Sequence, residues 1–152
     1  MPDTATTDIE WGVSAPFLQH VTVGEDDLDA FGHTNNVVYL RWLERVAWAH
    51  SVSLGLDMDV YQRLNAGCVA RRHELDYLLP TFAGEALAVA TWIDENDGKA
   101  TMWRGYAIAR LSDARHVLRA RTLWACIDMK TGRPKRQPQA FLDAYRPATA
   151  LA

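Results

Sequence analysis

One segment of the 152-residue chain limits its fold more than any other, the stretch from Asn36 to Leu54. Val37, Val38, Tyr39, Leu40, Leu43, Val46, Ala47 and Leu54 fill most of the circumference of a helix there, and Arg41, Glu44, Arg45 and Ser51 share one narrow polar stripe. A helix so apolar has to be buried on most of its sides. Other parts of the fold must therefore cover it, and Gly55 is a natural stop.

The flanking sequence is suited to that task. Phe17 to Val23 reads as a short strand, with Phe17, Val21 and Val23 on one side. A short helix over about 58–65 follows the long one, and then the pattern becomes strand-like from Cys68 to Leu79. Val69, His73, Leu75, Tyr77 and Leu79 alternate there with Cys68, Ala70, Arg72, Glu74 and Asp76. Further strands are expected over 86–93, 99–111 and 116–128, with tight turns at 95–98 and 112–115. After Thr131-Gly132 comes a basic loop, Arg133-Pro-Lys-Arg-Gln-Pro138, and a short helix near 140–145. The reading is α+β, with one long helix against a five-stranded antiparallel sheet whose last four strands form a meander. Residues 1–15 are expected to be a flexible leader, 16–146 a single domain and 147–152 a C-terminal tail.

Composition narrows the function. Sixteen Lys and Arg against nineteen Asp and Glu give a net charge of −3, which leaves no broad basic face for nucleic acid. The first eleven residues carry Asp3, Asp8 and Glu10 and lack a signal-peptide pattern, and no apolar run is long enough to span a membrane. The expected location is the cytoplasm. Cys68 and Cys126 lie in apolar strand-like stretches and read as buried thiols, and the five histidines show no paired metal spacing. No metal or cofactor is expected. Glycine-rich phosphate loops and Gly-x-Ser-x-Gly elbows are absent.

Chemistry concentrates in the loop before the long helix. Asp26, Asp27 and Asp29 crowd together, Gly32 allows a tight turn, and His33-Thr34-Asn35-Asn36 runs into the helix. One of Thr34, Asn35 and Asn36 is expected to cap the helix. A helix N-terminus presents unpaired N–H donors and the positive end of its dipole. Carboxylate and donors together are the pair that acyl transfer needs: one group to attack or to activate water, another to polarise the carbonyl.

Asp27-Leu-Asp29-Ala-Phe-Gly32-His33-Thr-Asn-Asn36-Val-Val-Tyr39-Leu-Arg-Trp-Leu-Glu44 resembles the opening motif of the hotdog-fold acyl thioesterases, above all the 4-hydroxybenzoyl-CoA thioesterase family and the plant acyl-ACP thioesterases. The resemblance implies a hotdog fold that pairs as a homodimer or homotetramer, and hydrolysis of an acyl-CoA thioester. It makes Asp29 the catalytic nucleophile or general base, and the Asn36 backbone N–H the donor to the thioester carbonyl. Gly32 then allows close approach of the ligand, and His33 orients water or ties the loop. Phe31 stands where the acyl-ACP branch carries an asparagine, a departure from that branch. Arg133, Lys135, Arg136 and Lys99 become candidates for the CoA phosphates. Tyr39, Trp42, Trp48 and Tyr61 are candidates to line an acyl pocket. Competing readings are a non-catalytic acyl- or CoA-binding module, an acyl-ACP thioesterase and a hotdog dehydratase.

Overall fold

The long helix, α1 (Asn36–Ser53), begins where Asn35 turns its side chain back to accept the Val37 N–H at 3.0 Å. In the computed structural model, which describes residues 8–152, it is preceded by β1 (Phe17–Thr22) and a single 3-10 turn (Glu25–Asp27). After it come α2 (Met58–Leu64), β2 (Ala66–Tyr77), β3 (Ala86–Asn96), β4 (Thr101–Arg110), β5 (His116–Asp128) and α3 (Gln139–Ala144). The strands form one five-stranded sheet in the order β1-β3-β4-β5-β2, antiparallel throughout. No helix among the described residues is long and apolar enough to cross a membrane.

Two expectations about the strands are corrected. The last four strands are not one meander, since only β3, β4 and β5 are joined in sequence order and β2 pairs with β5 at the far edge. The eight-residue connection 78–85 is too long for a hairpin; it crosses the start of α1, with Thr81 hydrogen-bonded to Thr34 and Tyr39. The strict alternation of β2 is also broken. Pairing with β5 slips between Ala70 and Arg72, and this bulge shifts the pattern by one residue. Cys68 and Leu75 both pack against the core as a result, while Val69 faces outward.

Helix α1 lays Val38, Tyr39, Trp42, Leu43 and Val46 against Leu87, Val89, Tyr106, Ile108 and Leu118 of the sheet. Each such side chain contributes about 1.5–3 kcal/mol on burial. Ser51 does not belong to the solvent stripe. It is buried, 2.8 Å from the Tyr145 hydroxyl, and Val37, Trp48 and Val52 are exposed along with Arg41, Glu44 and Arg45. A second cluster holds the other end of the molecule, where Tyr61 of α2 and Phe141 of α3 meet Ile93 and Met102.

The other face of the sheet departs from the expected flexible leader. Residues 1–7 lie outside the described residues, but Ile9 and Trp11 are buried over Ala88, Ala90, Ala107 and Ala109. Four alanines leave a shallow surface that an indole can cover. Val13 bridges Ala150, so the C-terminal tail closes over the same segment.

Gly105 lies on this face beneath Trp92. A Cβ there would clash with the indole Nε1. Gly105→Ala is expected to lower unfolding free energy by about 1–3 kcal/mol. Its cost in urea denaturation should shrink in a Trp92→Leu background, where the ring is gone.

Candidate active site

The three aspartates before α1 take separate tasks. Asp27 Oδ2 accepts the Gly24 N–H at 2.9 Å and closes the 3-10 turn, while Asp26 is exposed. Asp29 is half-buried, and its Oδ1 accepts two backbone N–H groups, from Phe31 at 2.9 Å and His33 at 3.2 Å. Its own N–H donates to His33 O at 2.7 Å. The carboxylate is thus tied by one oxygen into a tight turn, while Oδ2 has no hydrogen-bond partner among the described residues. Gly32 makes the turn possible with φ of +78°, a left-handed conformation that costs glycine little. A Cβ there would meet nothing within 4 Å, so the demand for glycine at this position comes from the backbone.

Of the three candidate caps, Asn35 is the one used. Its side chain satisfies the Val37 N–H, and its carbonyl takes Val38 N–H at 2.9 Å. The Asn36 N–H is left without an acceptor among the described residues. Its carbonyl is fixed by the Tyr77 hydroxyl, which donates at 3.0 Å. Thr81 fastens the crossing loop over this end: its hydroxyl lies 2.6 Å from Thr34 Oγ1 and 2.8 Å from the Tyr39 hydroxyl, and its carbonyl accepts the Thr34 N–H at 2.9 Å.

Asp29, His33, Asn36 and Tyr39 line one cavity of about 190 Å³, closed on the other side by Tyr77, Leu78, Leu79 and Pro80. His33 stands edge-on to Phe82, with ring centroids 5.1 Å apart, and this holds its imidazole beside the turn. Trp42 does not reach this cavity; it is buried and packs edge-on to Tyr39. Among the described residues no group of three His, Cys, Asp or Glu converges to hold a metal ion.

The basic candidates lie elsewhere. Lys99 O accepts the Gln137 N–H at 2.7 Å, so the Asp97 turn and the basic loop share one end of the sheet. That loop is fixed to the end of β5, where the Asp128 N–H donates to Arg133 O at 2.8 Å. Tyr77, beside Asn36, pairs instead with Leu118, ten residues away along β5, roughly 33 Å at strand spacing. Within one chain the loop and Asp29 do not share a site. Arg133 and Arg136 are exposed, whereas Lys135 Nζ donates to the carbonyls of Leu64 and Asn65 at 3.0 and 2.8 Å and closes the C-terminal end of α2.

Residues 23–145 match the profile of the thioesterase-like superfamily. The chain belongs to this superfamily. Solved structures share its fold at low identity. A 1,4-dihydroxy-2-naphthoyl-CoA thioesterase from Synechocystis is 19% identical with a TM-score of 0.77, covering 86% of this chain and 96% of its own. A Staphylococcus aureus protein solved in complex with CoA is 17% identical with a TM-score of 0.81, covering 92% and 91%. A probable thioesterase from Escherichia coli is 20% identical with a TM-score of 0.74, covering 86% and 99%. No curated protein is matched by sequence. The expected α+β hotdog fold is therefore the fold of this superfamily member, a central helix wrapped by five antiparallel strands.

A second cavity, of about 260 Å³, lies further along α1 and takes in Trp48, Tyr61, Cys68 and Arg104. Trp48 and Tyr61 thus stand apart from Tyr39. Burial pushes the Cys68 thiol up to about 12, so it stays protonated at neutral pH. At the same end burial, and secondarily the charge of Arg104, hold the His50 imidazole down at about 4 against an ordinary 6.5.

Two outcomes follow. Thr81→Val removes the hydroxyl shared by Thr34 and Tyr39 and is expected to cost about 1–3 kcal/mol in thermal or urea unfolding. For His50, the unfolded chain binds more protons than the folded one between about pH 4 and 6.5. Stability therefore rises with pH across that window, and NMR should show a neutral His50 ring at pH 5. A ring that titrates near 6.5 would contradict this.

Proposed function

We propose that the protein hydrolyses an acyl-CoA thioester, with Asp29 as nucleophile or general base and the Asn36 N–H as donor to the thioester carbonyl. The observation that carries this reading is that both groups line one cavity, where Asp29 Oδ2 and the Asn36 N–H are left without partners among the described residues. Oδ1 holds the carboxylate in place through two backbone N–H groups, which leaves Oδ2 for the carbonyl carbon or for a water. As charge builds on the thioester oxygen, a fixed N–H at the positive end of an 18-residue helix stabilises it. Such a donor is worth about 3 kcal/mol in a site with little water. In this reading His33 ties the turn and Gly32 supplies its backbone conformation. The superfamily match and the CoA bound by the S. aureus structural relative support a CoA ester as substrate.

The separation of the basic loop from Asp29 supports a site built from two chains. A homodimer, alone or doubled into a tetramer, would let Lys99, Arg133 and Arg136 of one chain serve the CoA phosphates of a thioester held at the other's Asp29. Strand β2 at the sheet edge and the exposed Val37, Trp48 and Val52 of α1 give a second copy apolar surface to cover.

Asp29→Asn is expected to keep the fold and lower kcat for thiol release from the best acyl-CoA at least a hundredfold. Wild-type rates in that variant would remove Asp29 from the mechanism. No thiol release from any acyl-CoA, together with a raised Tm in CoA esters, would mark a binding module instead. The Arg133→Ser, Arg136→Ser double variant should raise KM for acyl-CoA with kcat unchanged. Lys135→Met should instead lower Tm, since it uncaps α2.

A further inference from the structure

Arg104 lies on β4, on the face toward α1, and is only 2% exposed. A buried charge is expensive unless it is paired. Arg104 takes part in none of the ion pairs among the described residues. Its Nη1 donates to His50 Nδ1 at 2.8 Å and to Thr91 Oγ1 at 3.2 Å, both neutral acceptors. Thr91 in turn donates to Gly105 O at 2.9 Å, so it brings no negative charge. Nε and Nη2 make no hydrogen bond among the described residues.

Arg104 lines the 260 Å³ cavity, where Met102, Tyr61, Tyr145 and the Trp124 indole supply apolar walls. Trp124 Nε1 is buried and has no acceptor among the described residues. The Tyr106 hydroxyl is near it but outside hydrogen-bond geometry. Glu44 is the one carboxylate on the wall; it is exposed at the rim and enters no ion pair. None of these residues lines the Asp29 cavity. The site therefore offers a forked cation and an indole N–H inside an aromatic and thioether wall. A planar carboxylate matches a guanidinium edge, and an apolar body of benzene size needs a cavity of only about 150 Å³.

We infer that the Arg104 cavity binds an organic carboxylate with a small aromatic or aliphatic body, its oxygens on Arg104 and the body against Trp124, Met102 and Tyr61. Two sources share this chemistry, a free acid such as a thioester hydrolase releases and the far end of an acyl chain that carries its own carboxylate. The inference does not depend on a catalytic role for Asp29.

The test is calorimetric titration of the full chain with benzoate and with its neutral counterpart benzamide. Benzoate is expected to bind saturably and at least tenfold more tightly than benzamide. Asp29→Asn should leave its affinity unchanged, while Arg104→Met should weaken it at least tenfold. If Arg104→Met does not fold, Trp124→Phe, which keeps an aromatic side chain and loses the N–H, should weaken it about threefold or more. Absence of saturable benzoate binding, equal binding of benzamide, or wild-type affinity in the folded Arg104→Met variant would overturn the inference. In the Trp124→Phe arm, wild-type affinity would do the same. Binding altered by Asp29→Asn and not by Arg104→Met would place the acid in the other cavity, which overturns the inference and leaves thioester hydrolysis standing. Comparing adipoyl-CoA with hexanoyl-CoA then separates the two sources. A lower KM for adipoyl-CoA that Arg104→Met abolishes supports the acyl-chain end, and equal KM values with benzoate still bound support a free acid.

Discussion

The rest of the site depends on how the first turn of α1 is finished. A helix N-terminus leaves N–H groups without partners, and this one disposes of them unevenly. Asn35 takes the Val37 N–H through its side chain and the Val38 N–H through its carbonyl, and the Asn36 N–H remains. Thr81 and Tyr77 hold that arrangement from outside by fixing Thr34, Tyr39 and the Asn36 carbonyl. An unpaired donor is useful only if it cannot swing to find a partner, and the buried Thr81 hydroxyl gives the loop that rigidity. Asp29 is fixed by the same logic, since two N–H bonds on one oxygen leave the other free at a set position.

That end of the helix was readable in the sequence because its chemistry is local. Asp29, Gly32, Asn35 and Asn36 lie within eight residues, and their roles follow from turn and cap preferences that act over such distances. The burial of α1 was legible for a similar reason, as periodicity within one segment. The residues that brace the site were not. Thr81 lies in a loop between Pro80 and Gly84 and says nothing of its partners 42 and 47 residues away. The β2 bulge was hidden as well, because an extra residue leaves composition untouched and changes only which side each residue faces. Lys135 looked like its neighbours Arg133 and Arg136, and only the meeting of its chain with α2 separates them.

Arg104 is an intermediate case. Met102, Arg104, Tyr106 and Ile108 alternate along β4, so the sequence carries the signal that a charge faces the core. Trp11 teaches the converse, since polar neighbours made residues 8–15 read as loose although the indole covers four alanines of the sheet. The burial of Trp11 comes from long-range packing, in which one face of a sheet decides what a distant segment must do.

The central claim is that the Asn36 N–H and Asp29 act on one carbonyl. It is tested most directly by ¹H–¹⁵N NMR of the Asp29→Asn protein as it binds an acyl-CoA analogue in which the thioester sulfur is replaced by methylene. The resulting ketone cannot be hydrolysed, and its oxygen accepts the same hydrogen bond. The Asn36 amide proton is expected to move strongly downfield on saturation, with smaller changes at Phe31 and His33. An Asn36 resonance that stays in place while amides elsewhere respond to the analogue would contradict it.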